Sequence, residues 1–242
     1  VFTTDIRAFF LNVLVDEKDK DAFRYLWFKD SSMKEVEVNR FGGHIFGSQA
    51  SSAITSFTTR THAEAVKDDY PANVSECIKK RFYVDDGNGG HDDIQEAKAL
   101  KMNLIDAMAR GGFELSKWKS NHPLLLNPNE DGSQPDAVED ALVKILGVHW
   151  NPSDDTFCFE IDLNSLKLSA KTPRELVGVQ CSLFDPQGFY SPYSLLGRKM
   201  MQKATTEKRG WDSTLSPQLE KNFLGWANDM PKLKLYNVPR WR

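Results

Sequence analysis

The chain runs to 242 residues, 40% of them hydrophobic and 27% charged, an ordinary globular balance that excludes bulk disorder, collagen and coiled coil. No stretch approaches the roughly 18 uninterrupted apolar residues of a membrane span. Three scattered cysteines, Cys77, Cys158 and Cys181, argue against a disulfide framework or a zinc site and for a reducing compartment. The net charge of −3 hides an asymmetry: residues 1–162 carry 18 Lys and Arg against 28 Asp and Glu, and residues 163–242 carry 13 against 6, so −10 and +7 sum to −3. A basic terminal third on an acidic body suits a phosphate backbone, but charge alone does not separate that from a solvated surface.

Val1–Asp5 holds no initiator Met and no targeting segment, and reads as the inside of a longer polypeptide. Val1 to Thr4 predicts a short strand ending at Asp5, followed by an apolar run from Ile6 to Leu11. A charged turn, Asp16–Asp21, leads to an aromatic strand at Tyr25–Phe28, and Glu35–Val38 alternates as a half-buried strand should. Ala50, Ala53, Ile54, Phe57 and Ala65 predict a helix over 49–67. Arg81–Val84 is a short β-prone run, and Asp85-Asp86-Gly87-Asn88-Gly89-Gly90 has the composition of a tight hairpin turn. Asp92 or Asp93 caps a helix carrying Ile94, Ala97, Leu100, Leu104, Ile105 and Met108 on one face, and Gly111-Gly112 stops it. Residues 127–140 predict a flexible loop, and Val143–Trp150 with Thr156–Ile161 predict a hairpin. From Thr172 the texture is helical: Thr172-Pro173-Arg174-Glu175 combines a capping box with a first-turn proline, and Ser191-Pro192 and Ser216-Pro217 repeat the start signal.

The chemistry concentrates in carboxylates. Asp5 closes a strand and Asp85-Asp86 occupy a turn 80 residues later. If the two strands are neighbours, three oxygen donors converge at one sheet edge, the donor type that hard cations such as Mg²⁺ take. Paired metals of this kind activate a hydroxyl and stabilise a leaving pyrophosphate. Taken alone, each piece is common in ordinary turns and strand ends.

The surrounding blocks add to this. Asp5-Ile6 with Phe9-Phe10, then Arg24–Phe28, then Phe46-Gly47 with Ala50-Ser51 and Phe57, follow one another in order. Tyr83-Val84-Asp85-Asp86, Gly111–Trp118 with Ser120-Asn121, Leu146–Trp150, Asp155–Phe157 and Phe184–Gly188 continue the series. Together they resemble reverse transcriptases, specifically the polymerase of BEL/Pao-type long-terminal-repeat retrotransposons. The resemblance implies an α+β fold: a polymerase palm, with an antiparallel sheet packed on helices, over 1–165, then a small helical thumb-like subdomain over 166–242. It implies an RNA-directed DNA polymerase using two Mg²⁺ ions, with Mn²⁺ as a substitute. Template with primer, dNTPs and other parts of a parent polyprotein would be its partners, with no membrane, in an intracellular particle or the nucleus.

Residue by residue, the resemblance assigns metal binding to Asp5, Asp85 and Asp86 with the Ile6 carbonyl. Phe10 falls at the sugar gate, where a bulky ring would exclude a ribose 2′-hydroxyl; ordinary core packing is its other reading. Gly47, Gln49 and Tyr83 fall at the nucleotide, and Lys117 at the position of a proton donor to pyrophosphate, with Lys119 as its near competitor. Leu146, Gly147, Val148, His149 and Trp150 fall at the primer grip. The chain departs from the pattern at Ser52, where the family has Pro, and at Gly87–Gly90, which replace apolar strand residues. No Asp-Thr-Gly protease motif and no evident RNase H constellation is present. The competing readings are a catalytically inactive, truncated or domesticated polymerase fold acting as a binding module, and an unrelated Mg²⁺-dependent phosphotransferase.

Overall fold

The structure, a computed structural model, describes residues 1–126, 142–161, 170–208 and 210–240. The loop expected over 127–140 lies outside the described residues. The chain is mixed α+β with antiparallel sheets and several helices, and it divides into two compact units, Val1–Glu139 and Asp140–Arg242. The change of texture read near residue 165 is thus preceded by the unit boundary, because the 143–158 strands belong with the second unit.

In the first unit the elements are β1 (Phe2–Ile6), α1 (Phe9–Asn12), β2 (Arg24–Phe28), β3 (Val36–Arg40), α2 (Ser51–Ala65) and α3 (Ala72–Lys80). Then come β4 (Phe82–Tyr83), β5 (Asp86–Gly89), α4 (Ile94–Arg110) and β6 (Leu115–Ser120). The sheet runs β4-β5-β1-β6 with every pair antiparallel. Phe2, Thr4 and Ile6 are buried while Val1, Thr3 and Asp5 between them are not, so β1 presents one face to the core and one outward. The core face packs against Val74 and Ile78 of α3 and Leu100, Leu104 and Met108 of α4. Asp93, one of the two expected caps, closes α4 by accepting the Gln95 and Glu96 amides at 2.8 and 3.0 Å.

Three expectations change here. The turn is Val84-Asp85, and Asp86–Gly89 is a strand instead of the turn itself. The glycines admit aromatic rings: a Cβ on Gly89 would meet the Phe2 ring at 2.5 Å, and one on Gly87 would enter the Phe82 ring. The alternating strand β3 is not half-buried, because among the described residues β2 and β3 pair only with each other and leave Val36 and Val38 about three-fifths exposed. Helix α3 was not anticipated, although Val74, Cys77 and Ile78 stand at helical spacing and are its buried face. Burial there pushes the Cys77 thiol up to about 11.

The second unit holds β7 (Val143–Ile145), β8 (Val148–Asn151), β9 (Thr156–Cys158), α5 (Pro173–Ser182), α6 (Ser191–Thr206), α7 (Pro217–Asp229) and β10 (Val238–Pro239). Its antiparallel sheet has the order β10-β9-β8-β7. The stretch expected as one strand over Val143–Trp150 is itself a hairpin, turned at Leu146-Gly147 with φ of 48° and 85°. Two successive positive-φ residues match the right-handed twist of the flanking strands. The capping box forms as expected: Thr172 Oγ1 accepts the Glu175 amide, and Glu175 Oε2 accepts the Thr172 amide. Leu176, Val179, Leu219, Phe223, Trp226 and Met230 make the core of this unit.

Candidate carboxylate site

Asp5 is on the outward face of β1 and is the direct antiparallel partner of Asp86 on β5. The Ile6 amide donates to the Asp85 carbonyl at 2.9 Å, which makes Asp5 and Asp86 a non-hydrogen-bonded pair, the kind whose Cα atoms stand about 4.5 Å apart with side chains close. Asp85 follows Val84 in the turn, and Tyr83 on β4 is the partner of Asp86 on its other side. The three aspartates and Tyr83 therefore lie at one end of one sheet, and the neighbouring of β1 and β5 is the condition on which the expected convergence of the aspartates depended. The Asp86 carboxyl is held above its ordinary value, first by burial and then by the charges of Asp85 and Asp5, with Lys117 opposing.

Two backbone irregularities frame this edge. Val84 has φ 57°, a left-handed conformation that costs a β-branched residue on the order of 1–3 kcal/mol. On the other side, the β1–β6 register slips by one residue between Thr3 and Asp5, so Lys117 and Trp118 together oppose Thr4. Lys117 takes φ 53° in this bulge, and bulges re-aim side chains. Trp118 packs on Phe2 with ring centroids 5.4 Å apart, while Lys117 Nζ reaches Asp5 Oδ2 at 3.1 Å. Ser116 supports the arrangement through its hydroxyl on the Asp5 carbonyl at 3.3 Å, and its own carbonyl accepts Thr4 Oγ1 at 2.9 Å. Neither the bulge nor Val84's conformation left a signal in the sequence.

By donor type, three carboxylates fit a hard divalent cation. Among the described residues no three Asp, Glu, His or Cys side chains are drawn together tightly enough to hold one. Lys117 is the cation on Asp5.

The remaining candidates are spread more widely. Phe10 is 8% exposed, with its ring 4.8 Å from that of Phe46 and 5.9 Å from that of Phe9. Ile6 is buried, and Gly47, at φ 85°, and Gln49 are exposed ahead of α2. No contact ties Gly47 or Gln49 to the aspartates among the described residues. Leu146, Gly147, Val148, His149 and Trp150 belong to the second unit. There Trp150 is 1% exposed and donates Nε1 to Asp155, so it is a core residue of its sheet. Burial, and secondly the Lys144 charge, lower the His149 pKa. Gly147, Val148 and His149 line a cavity with Phe159, Phe184 and Phe189, three aromatics outside the expected site. Among the described residues, no helix is long and apolar enough to cross a membrane.

Five of the six carboxylates of 172–242 hold local hydrogen bonds or ion pairs. Glu175 closes the capping box, Asp185 accepts the Phe189 and Tyr190 amides, Asp212 clamps Arg174, Asp229 pairs with Lys232, and Glu207 accepts Ser216. The sequence shows no evident RNase H constellation here, and the resemblance implies a thumb. Comparison with known families assigns it differently. No curated protein matches the chain. Residues 172–242 match the family described as Pao retrotransposon-like RNaseH-like domain, which points to a BEL/Pao retrotransposon by way of an RNase H-like domain and not of a reverse transcriptase.

Proposed function

We propose that this chain is a BEL/Pao retrotransposon polyprotein fragment in which an RNA-directed DNA polymerase palm precedes the RNase H-like segment. The observation that carries this reading is the Asp5–Asp86 cross-strand pair with Asp85 in the adjoining turn, set among the ordered blocks of the reverse-transcriptase resemblance. The palm would correspond to 1–165, and 166–242, expected from the sequence as a thumb, would instead carry the RNase H-like segment. Asp5, Asp85 and Asp86, with the Ile6 carbonyl, would hold Mg²⁺ or Mn²⁺, which supplies Lewis-acid activation of a primer hydroxyl and charge neutralisation at the phosphates. Lys117 would hold a proton for the leaving pyrophosphate. Phe10, Gly47, Gln49 and Tyr83 would contact the dNTP, and Leu146–Trp150 the primer. Its compartment would be an intracellular particle or the nucleus. Primer extension on an RNA template with dNTPs and Mg²⁺ tests the reading: extension should occur and vanish in Asp85→Asn. Equal extension by both would refute it.

One observation favours a second reading. Among its described residues the matched segment, 172–242, carries α5, α6, α7 and the short β10, and it lies in the region where the chain's positive charge concentrates, which suits a nucleic-acid-binding module without polymerase chemistry. That module would bind RNA–DNA hybrid equally with and without Mg²⁺, with a salt slope counting the phosphates neutralised.

A further inference from the structure

We infer that the cavity between the β7–β8 hairpin and the Ser182–Tyr190 segment takes one unstacked nucleotide: Phe184 stacks on the base, the His149 imidazole bonds the base edge, and the Lys144 ammonium meets the phosphate. The inference goes beyond the primer contact proposed for Leu146–Trp150, because it needs no polymerase chemistry and its aromatic walls lie outside that run.

The sheet supplies the polar wall. Lys144 on β7 and His149 on β8 are direct antiparallel partners, and His149 in turn opposes Cys158 on β9. Directly opposed residues share a face of the sheet, so the three side chains stand in one row, and all three line the cavity. The segment after α5 supplies the aromatic wall. Asp185 accepts the Phe189 and Tyr190 amides at 2.8 and 2.9 Å, a turn that sets the Tyr190 ring 4.1 Å and the Phe189 ring 6.0 Å from that of Phe159, centroid to centroid. Phe159 and Tyr190 are buried, whereas Phe184 is 57% exposed and lies across the hairpin turn, where a Cβ on Gly147 would stand 2.6 Å from its ring. A large ring left open at the rim of an aromatic cavity is a stacking platform, and stacking accepts every base because each has a π-face. The cavity measures about 460 Å³, within the roughly 300–1,000 Å³ of small-molecule sites.

Charge selects among flat ligands. Of the two carboxylates at the cavity, Glu160 is paired with Lys234 at 3.2 Å and Asp185 is held by the two amides. Among the described residues Lys144 has no ion pair and the His149 ring no hydrogen bond. Burial and the Lys144 charge keep that ring neutral near pH 7, so it offers one N–H donor and one acceptor. The uncommitted groups are thus one cation and one neutral donor–acceptor pair. They suit a heteroaromatic ring that carries a phosphate, and not a plain hydrocarbon or a cationic ligand.

The test titrates the whole chain into a short single-stranded oligonucleotide containing 2-aminopurine, in EDTA, and follows the fluorescence of that base. The wild type should quench it, the sign of a stacked base. Phe184→Ala, a change at an exposed side chain, should weaken binding about five- to 150-fold, and Lys144→Gln about two- to fivefold, with melting temperatures unaltered. Adenosine monophosphate competing as well as the unlabelled strand would identify a free nucleotide as the ligand, and competition by the strand alone a nucleotide within a strand. No quenching by the wild type, or wild-type quenching and affinity in Phe184→Ala and Lys144→Gln, would overturn the inference. Neither result bears on primer extension, which tests the polymerase reading separately.

Discussion

Asp5 and Asp86 are held directly opposite each other on β1 and β5 in the closer of the two antiparallel pairings. Opposed like charges destabilise a sheet, and cross-strand pair terms amount to about 0.2–1 kcal/mol. Folding alone gives no reason to keep the pair, so Asp86→Asn should stabilise the chain by up to about 1 kcal/mol near neutral pH, read as a higher urea midpoint. The pH dependence has a definite sign. Burial, and then the charges of Asp85 and Asp5, raise the folded-state pKa of Asp86, so the native state holds this proton more tightly than the unfolded chain. The penalty is absent below the unfolded value, grows as pH rises through the folded one, and is complete above it. The advantage of Asp86→Asn should therefore shrink to nothing on acidification. An advantage that is the same at pH 3 and pH 7 would contradict the account.

The glycines of β5 provide a second test. Gly87 and Gly89 lie under the rings of Phe82 and Phe2, and a Cβ at Gly89 would stand 2.5 Å from the Phe2 ring. Phe2 is 1% exposed and sits in the main core, whereas Phe82 is only partly buried and has room to swing. Gly89→Ala should cost about 1–3 kcal/mol, the range of overpacked cores, and Gly87→Ala should cost less. Equal urea midpoints for Gly89→Ala and the wild type would show that the ring does not need the glycine.

These glycines show where sequence reading succeeds and where it stops. The cap at Asp93, the stop at Gly111-Gly112 and the box at Thr172–Glu175 were legible because each rests on contacts within a few residues. The convergence of Asp5 with Asp85-Asp86 was legible only as a condition, since it requires β1 and β5 to pair across 80 residues. Gly87–Gly89 carry turn chemistry in isolation, and only the rings of Phe2 and Phe82 explain them as strand. The bulge that turns Lys117 toward Asp5 is a register slip between distant strands, and no local residue encodes it. The alternation of β3 signalled a strand correctly but not its burial, because burial depends on what another element covers.

In the second unit, Asp155 collects a bidentate clamp from Arg240 at 2.7 and 2.8 Å and the Trp150 indole at 2.9 Å. Burial works against its charge, but the hydrogen bonds from Arg240 and Trp150 and the Arg240 charge prevail and hold the carboxyl below its ordinary range. A depressed carboxylate stabilises above its unfolded pKa and loses that contribution as pH falls through the folded one. Asp155→Asn should therefore lower the unfolding temperature at pH 7 and matter progressively less below about pH 4. A loss that is undiminished at pH 2–3 would assign the effect to packing and not to charge.

In the same unit α5 and α6 approach closely where Gln180 faces Gly197. Gln180 is 7% exposed and its Oε1 has no hydrogen-bond partner among the described residues, a defect that costs about 1–3 kcal/mol. That oxygen occupies the space a Cβ on Gly197 would need, and the Trp226 ring closes the other side at 2.9 Å. Gly197→Ala should thus be strongly destabilising although alanine is the better helix former by about 1 kcal/mol. Gln180→Ala removes both the orphaned acceptor and the obstruction, at the cost of a cavity. In the double variant the new methyl fills part of that cavity, so the two substitutions should be less harmful together than their sum, with a coupling of about 1–3 kcal/mol in a urea double-mutant cycle. Additive effects would mean that Trp226, and not Gln180, sets the limit at Gly197.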